Sequence, residues 1–342
     1  MKKKTALITG GAGFIGSELT KQLLAVFEEV IVVDNMVNGK IKNLHEVHDN
    51  PRLRIVAEDI RSIEKISPLI RQSNYIYHLA CLGVRHSIHS PKENYDVNAN
   101  GTYGLLEAAK GCLDKFVYVS TSEVYGTAKH VPMAESHPTF PLTVYGAGKL
   151  AGEALTRSFY ETYEMPTVVV RPFNSYGSRS HHEGDSGEVI PKFMLRSLMM
   201  KPLLIFGDGT QTRDFTFVKD TAQGILKAGI HPRALGQTFN IGSGSEISIH
   251  ELALNILKVT ESSSTIKFIN ARPGDVLRLY SDSSHASNLL DFSITTSFAN
   301  GLQHLLKWYK KEYTYDEISR MATEDIDQNW VDPEFNNKQH ER

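Results

Sequence analysis

Thr5-Ala6-Leu7-Ile8-Thr9-Gly10-Gly11-Ala12-Gly13-Phe14-Ile15-Gly16 is the stretch that decides the fold. A short apolar run ends in glycines and passes directly into a helical pattern from Phe14 to Phe27. A second apolar run, Val30 to Val33, then closes on Asp34. Strand, glycine turn, helix and strand make a βαβ unit, and Gly10, Gly13 and Gly16 let the backbone and the helix N-terminal amides approach a pyrophosphate. Phe14 and Ile15 belong to the same turn.

Further apolar strands are expected at Leu53 to Val56, Tyr75 to Leu79, Phe116 to Ser120 and Thr167 to Val170, several of them separated by helical stretches. That alternation predicts an α/β fold with a doubly wound parallel sheet. After Arg171 the rhythm changes to loops marked by glycine and proline. Helices near Pro191 to Met200 and Ile249 to Lys258, with short strands near Leu203 to Phe206 and Ile266 to Ile269, predict a smaller substrate-binding lobe. The expected division is 1–172, rejoined by about 216–242, for the large domain, and 173–215 with 243–328 for the lobe. Residues 329–342 read as a frayed tail.

The 342 residues carry a formal charge of -2 and 41% hydrophobic residues. This balance argues against a nucleic-acid partner and favours a small charged ligand. Cys81 and Cys112 are the only cysteines, too few for a disulfide scaffold, and no stretch approaches membrane-spanning length. The reading is cytoplasmic, with no membrane partner. Adjacent His181 and His182 lack a third placed ligand, so no metal is assigned. Cys81 reads as a small packing residue rather than a reactive thiol, although Arg85 and His86 follow it.

Asp34 ends the second strand where an acid accepts hydrogen bonds from the adenosine ribose and repels a 2'-phosphate, so NAD is preferred over NADP. Asp59, followed by Ile60, is a candidate for the adenine amino group and equally an exposed loop acid. Tyr145 and Lys149 lie four residues apart on one helix face. The expectation is that the ammonium lowers the phenol pKa, letting a tyrosinate take a proton from a sugar hydroxyl.

At this point the chain resembles the extended short-chain dehydrogenase/reductase family of nucleotide-sugar epimerases and dehydratases, over roughly residues 4 to 310. The resemblance rests on the opening glycine motif, Asp34-Asn35 with Asn38-Gly39, and His78-Leu79-Ala80. Asn98 with Gly101-Thr102, the run Ser120 to Gly126, Tyr145 with Lys149, and Arg171-Pro172-Phe173-Asn174 extend it. It implies a Rossmann-type fold, tightly held NAD and a nucleotide-diphosphate sugar as substrate. It also implies that Thr121 bonds the sugar 4-hydroxyl, Tyr145 is the base and Lys149 holds the nicotinamide ribose. Asn35, Asn38, Gly39, Leu79 and Ala80 fall with the cofactor; Arg85, Asn174, Arg213, Arg272 and Arg278 fall with the substrate. A homodimer built from about Val97 to Gly111 and Val144 to Thr162 is implied as well.

Thr121-Ser122-Glu123 bears on the reaction. A 4-keto sugar has an acidified C5 hydrogen, and Glu123 is the candidate base for removing it while the 6-hydroxyl departs. Family members that epimerise resemble Ser-Ser-Ala or Ser-Ser-Ser there. Two departures pull the other way: Ser122 stands where many dehydratases carry a proton-donating aspartate, and Cys81 to Ser87 resembles the epimerase loop. The ranking is 4,6-dehydratase, then 4-epimerase, then uronate decarboxylase, whose helix typically has an acid where this chain has Gly146-Ala147-Gly148. A binding protein that senses NAD without turnover is the non-enzyme alternative.

Overall fold

The computed structural model describes residues 4–183, 187–271 and 276–323. In chain order its strands are β1 (Thr5–Thr9), β2 (Glu29–Asp34), β3 (Leu53–Ala57), β4 (Tyr75–His78), β5 (Lys115–Val119), β6 (Thr167–Pro172) and β7 (Asn174–Tyr176). They continue as β8 (Leu203–Phe206), β9 (Thr212–Phe217), β10 (Thr238–Ile241), β11 (Glu246–Ser248), β12 (Ile266–Ile269) and β13 (Arg278–Leu279). Seven of them form one parallel sheet in the order β10-β6-β5-β4-β1-β2-β3. The chain builds outward from β1 to β3, then returns to the other side of β1 with β4.

Strand sequences explain why both faces are covered. Ala6, Ile8, Val30, Val32, Val117, Val119, Val168 and Val170 point into one core beneath the helices Phe14–Leu23 and Val218–Ile230. Their neighbours Leu7, Ile31, Val33, Phe116, Tyr118 and Val169 enter the other, beneath Ile63–Gln72, Gly101–Ala109 and Val144–Tyr163. Continuous apolar runs are what a sheet buried on both faces requires, since successive side chains alternate between them.

The first helix ends at Leu23 rather than Phe27. The chain turns there so that Phe27 enters the core and the Glu28 amide donates to the Lys4 carbonyl at 3.0 Å, feeding β2. β4 and β5 each begin or end one residue from expectation, and β6 extends through Pro172. After β6 the chain builds smaller sheets around β9 and β8. The helices Val189–Leu198, Ile249–Thr260, Phe298–Glu312 and Tyr315–Thr323 pack on a separate core there. The last two were not read from sequence. Among the described residues, no helix is long and apolar enough to cross a membrane.

A buried ion pair ties the Val144–Tyr163 helix to β6. Arg171 donates to both carboxylate oxygens of Glu153 at 2.9 and 2.6 Å and to the Tyr125 hydroxyl at 2.8 Å. Tyr125 in turn donates to Asn240 of β10 at 2.7 Å. These bonds to Arg171 hold the Glu153 carboxyl below its ordinary value against the opposing cost of burial. Glu153→Ala strands the buried guanidinium, so urea unfolding is expected to show a loss of about 3–5 kcal/mol. A carboxyl depressed in the folded state stabilises above its unfolded pKa and loses that contribution as pH falls through the folded value. The variant's stability is therefore expected to fall less than wild type on acidification below about pH 4.5.

Candidate active site

The site opens where the sheet reverses direction, between the carboxyl ends of β1 and β4, the position where open α/β sheets bind ligands. Gly10 takes φ +70°, and a side chain there would press on Ala80. At Gly16 an added Cβ would lie 2.0 Å from the Gly10 carbonyl oxygen. The glycine turn and the β4 exit therefore meet backbone to backbone. Asp34, buried at the end of β2, accepts from the amides of Ala12 and Met36, both at 2.9 Å. Burial still raises its carboxyl above the ordinary value, with those two amides pulling the other way.

His78 explains the His-Leu-Ala signature. Thr102 donates to the Asn98 carbonyl at 2.7 Å and lies 3.0 Å from His78 Nε2, which fixes Nε2 as the protonated ring nitrogen. Nδ1 then accepts from Thr9 at 2.7 Å, and Thr9 accepts the Ala80 amide at 3.2 Å. Burial holds this imidazole neutral, with the Lys149 ammonium acting in the same direction. Asn98, in a π-helical turn over Asp96–Asn100, binds the Leu82 amide and carbonyl, each at 3.0 Å. Two buried hydrogen-bond sets thus hold residues 79–82 against the glycine turn.

A cavity of about 680 Å³ runs from this junction into the smaller lobe. Its wall contains Gly10, Gly13, Phe14, Ile15 and Gly16, then Asp34, Asn35, Asn38, Gly39, Asp59 and Ile60, with Leu79 and Ala80. Arg85, Thr121, Ser122, Glu123, Tyr145, Lys149, Asn174 and Arg213 line the same space. Asn174 Oδ1 is buried there without a hydrogen-bond partner among the described residues. Asp59 is committed to the Arg61 guanidinium, at 3.0 Å from both Nε and Nη2, and to Asn35 at 2.9 Å. Those contacts pull its carboxyl down to about 2.

Arg213 is held in the wall by its neighbour Asp214, a fully buried acid on β9. Asp214 accepts from the amides of Ser243, Gly244 and Ser281 at 2.8–3.1 Å, knotting three segments behind the arginine. Arg278 is not brought to the cavity. Its exposed guanidinium is ion-paired with Glu246, Nε to Oε2 at 3.0 Å, across a short strand edge. Arg272 lies outside the described residues, as does the 329–342 tail.

The Val144–Tyr163 helix starts with Thr143, whose hydroxyl accepts the Gly146 amide at 3.1 Å. This cap sets Tyr145 and Lys149 into the cavity wall. Lys149 is buried, with Nζ 4.5 Å from the centre of the Tyr118 ring, and burial lowers its pKa. The expected depression of the Tyr145 phenol by Lys149 is not what the protein alone does. Burial pushes the phenol well above its ordinary value, and the opposing pull comes from a hydrogen bond with Thr121. Glu123 adds a charge that favours the neutral phenol.

Cys81 also differs from its reading as packing. It is a free thiol of intermediate exposure that lines the cavity. Other wall residues absent from the sequence reading include Arg61, Glu188, Lys192 and Arg196. Val189, Lys192, Phe193 and Arg196 fall on one helix at spacings of three and four, a helical face that only its docking onto the lobe turns toward a ligand.

Comparison with known proteins agrees with this geometry. The family model described as GDP-mannose 4,6 dehydratase matches residues 7–305. A UDP-glucose 4-epimerase of Mycolicibacterium smegmatis is 33% identical over 90% of this chain and 98% of its own length. UDP-glucuronic acid decarboxylase 1 of Arabidopsis thaliana is 31% identical, over 90% of this chain and 70% of its own. The dTDP-glucose 4,6-dehydratase DesIV of Streptomyces venezuelae, solved with NAD bound, superposes with a TM-score of 0.84 at 32% identity, covering 90% of this chain and 97% of that one. The chain belongs to the extended short-chain dehydrogenase/reductase family. Within it, the matches are NAD-dependent nucleotide-sugar enzymes of three reaction types. Tyr145, Lys149 and Thr121 line one cavity in this chain.

Because Gly16 sits against the Gly10 carbonyl, Gly16→Ala is expected to reshape the turn. Overpacking of this kind costs about 1–3 kcal/mol. A lower melting temperature and at least a roughly tenfold loss of dinucleotide affinity, the equivalent of about 1.4 kcal/mol, are expected by calorimetry. Gly83→Ala, where an added Cβ meets no atom within 4 Å, is the control expected to keep its melting temperature.

Proposed function

We propose that the protein is an NAD-dependent nucleotide-sugar 4,6-dehydratase. The observation that carries the reading is Glu123 in the cavity wall beside Thr121 and near enough to Tyr145 to act on its ionisation. An enzyme that only inverts C4 has no use for a carboxylate base there, whereas water loss across C5 and C6 needs one.

NAD fits the wall at the β1/β4 junction. Gly10, Gly13 and Gly16 admit its pyrophosphate, and Asp34 suits the adenosine ribose. When bound, NAD supplies a hydride acceptor for C4 of the sugar and a hydride donor for C6. Tyr145 takes the 4-hydroxyl proton as the tyrosinate, which requires the bound state to reverse the upward push of burial, with Thr121 orienting that hydroxyl and Lys149 supplying positive charge beside them. Glu123 then removes the C5 proton, whose acidity comes from the neighbouring ketone. Arg85, Asn174 and Arg213 suit the sugar and its diphosphate, with arginine offering paired donors to phosphate oxygens.

The 4-epimerase reading stands second, favoured by the loop Cys81 to Ser87 and by the likeness to UDP-glucose 4-epimerases. Mass spectrometry of nucleotide sugars incubated with the protein separates the readings: dehydration removes one water, epimerisation leaves the mass unchanged and decarboxylation removes carbon dioxide. Glu123→Gln is expected to slow water loss by at least about 10²-fold while C4 oxidation persists. In deuterated water, a dehydrated product without C5 label would overturn Glu123 as the base.

The reading includes a homodimer. Tyr103, Phe159 and Tyr163 form a continuous aromatic run across the Gly101–Ala109 and Val144–Tyr163 helices, ring centres 6.2 and 5.0 Å apart. Tyr103 and Tyr163 are half exposed. Light scattering at micromolar concentration is expected to give twice the chain mass, and Tyr103→Glu with Tyr163→Glu to return it to the monomer.

A further inference from the structure

Elimination of water from C5 and C6 needs two proton movements, and Glu123 accounts for one. The departing hydroxyl needs a donor, and Ser122, with an alcohol in place of a carboxylic acid, is a poor one. Six acidic side chains line the cavity among the described residues: Asp34, Glu58, Asp59, Glu93, Glu123 and Glu188. The first four are engaged at the cofactor end. Asp34 binds backbone amides, Glu58 pairs with Lys65, Asp59 with Arg61, and Glu93 with Arg61 and His86. Glu123 is the C5 base of the reading above, and Glu188 is the sixth.

Glu188 caps the Val189–Leu198 helix in an extended conformation, its amide donating to the His181 carbonyl at 2.8 Å. The preceding Gly187 is closely packed: a Cβ there would lie 2.6 Å from Lys192 Cε and 2.7 Å from the His182 carbonyl oxygen. The chain is thereby held in the wall that Arg85 and Asn174 share. The geometry points to Glu188 as the proton donor to the departing C6 hydroxyl, a role that rests on the dehydratase reading above.

In this step the Glu123 carboxylate takes the C5 proton, and the C5–H electron pair becomes the C5=C6 double bond. The C6–O bond breaks, its electrons stay on oxygen, and the Glu188 proton completes a water molecule. Glu188 is left as carboxylate and no net oxidation occurs. Burial suits Glu188 to this task by holding it as the neutral acid, its pKa pushed up to about 8 with Arg85 opposing. An acid poised near working pH is what proton donation requires. The groups that face it are Arg85 from the loop after β4 and Tyr309 from the Phe298–Glu312 helix, whose phenol its charge pushes up. Lys192 lies one turn along its own helix, and His181 and Glu183 belong to the preceding loop.

The test uses the full chain with NAD and a panel of UDP-glucose, UDP-N-acetylglucosamine, dTDP-glucose, CDP-glucose and GDP-mannose. If wild type removes water from none of them, the dehydratase reading falls and the donor role with it. With a sugar that is dehydrated, Glu188→Gln is expected to lose at least about 10²-fold in rate, the usual scale for a positioned acid, and to keep C5 exchange with solvent. Wild type is expected to lose activity above about pH 8, and the variant to lack that alkaline limb. The corresponding 6-deoxy-6-fluoro nucleotide sugar has a leaving group that needs no proton. On it the variant is expected to stay within about threefold of wild type, which also shows that it is folded. Dehydration of the hydroxyl substrate at the wild-type rate, or an equal loss on the fluoro sugar, would overturn the role of Glu188 while leaving the dehydratase reading intact.

Discussion

The closest constraint in the molecule is the backbone crossing of the glycine turn and the β4 exit. Gly10, Gly16, Leu79 and Ala80 meet where no side chain fits, and the approach is held by the Thr9–His78–Thr102 chain rather than by apolar packing alone. Every bond in that chain has one consistent donor and acceptor, so a fully buried histidine sits there at no cost in unsatisfied polar groups. From the crossing, β2 carries Asp34 to one side and residues 79–85 lead to the other. The helix N-terminal amides, Asp34 and the loop after β4 are all placed relative to that point.

A second theme is what burial does to titratable groups. Glu153 is buried but doubly bonded by a guanidinium, so it stays charged and joins helix to sheet. Tyr145, Lys149 and Glu188 line a cavity instead, and burial shifts each toward its neutral form. The same physical cost yields a structural clasp where a partner of opposite charge is in contact, and perturbed ionisation where side chains line a cavity.

The sheet was legible because its signal is local. Apolar runs of β1, β2, β5 and β6 alternate with helical patterns, and the glycines and Asp34 fall at fixed offsets from the strand ends. The lobe was only half legible: β8 and β12 stand out as apolar runs, whereas Thr212–Phe217 mixes polar and aromatic residues and becomes a strand through its pairing with β7, β11 and β13.

By itself, the sequence determined the parallel sheet, the glycine turn with Asp34 at the end of the next strand, and the tyrosine and lysine four apart on a helix, since each depends on neighbours a few residues away. Tertiary structure alone decided the rest. Arg213 reaches the cavity because Asp214 is knotted behind it, whereas Arg278 is drawn to Glu246; nothing in either arginine's own surroundings distinguishes them. Cys81 and Glu188 likewise face the cavity through contacts with residues far along the chain or across a lobe, and the ionisation of Tyr145 follows from how much solvent the assembled wall removes. Placement of this kind depends on distances between segments that no local pattern encodes.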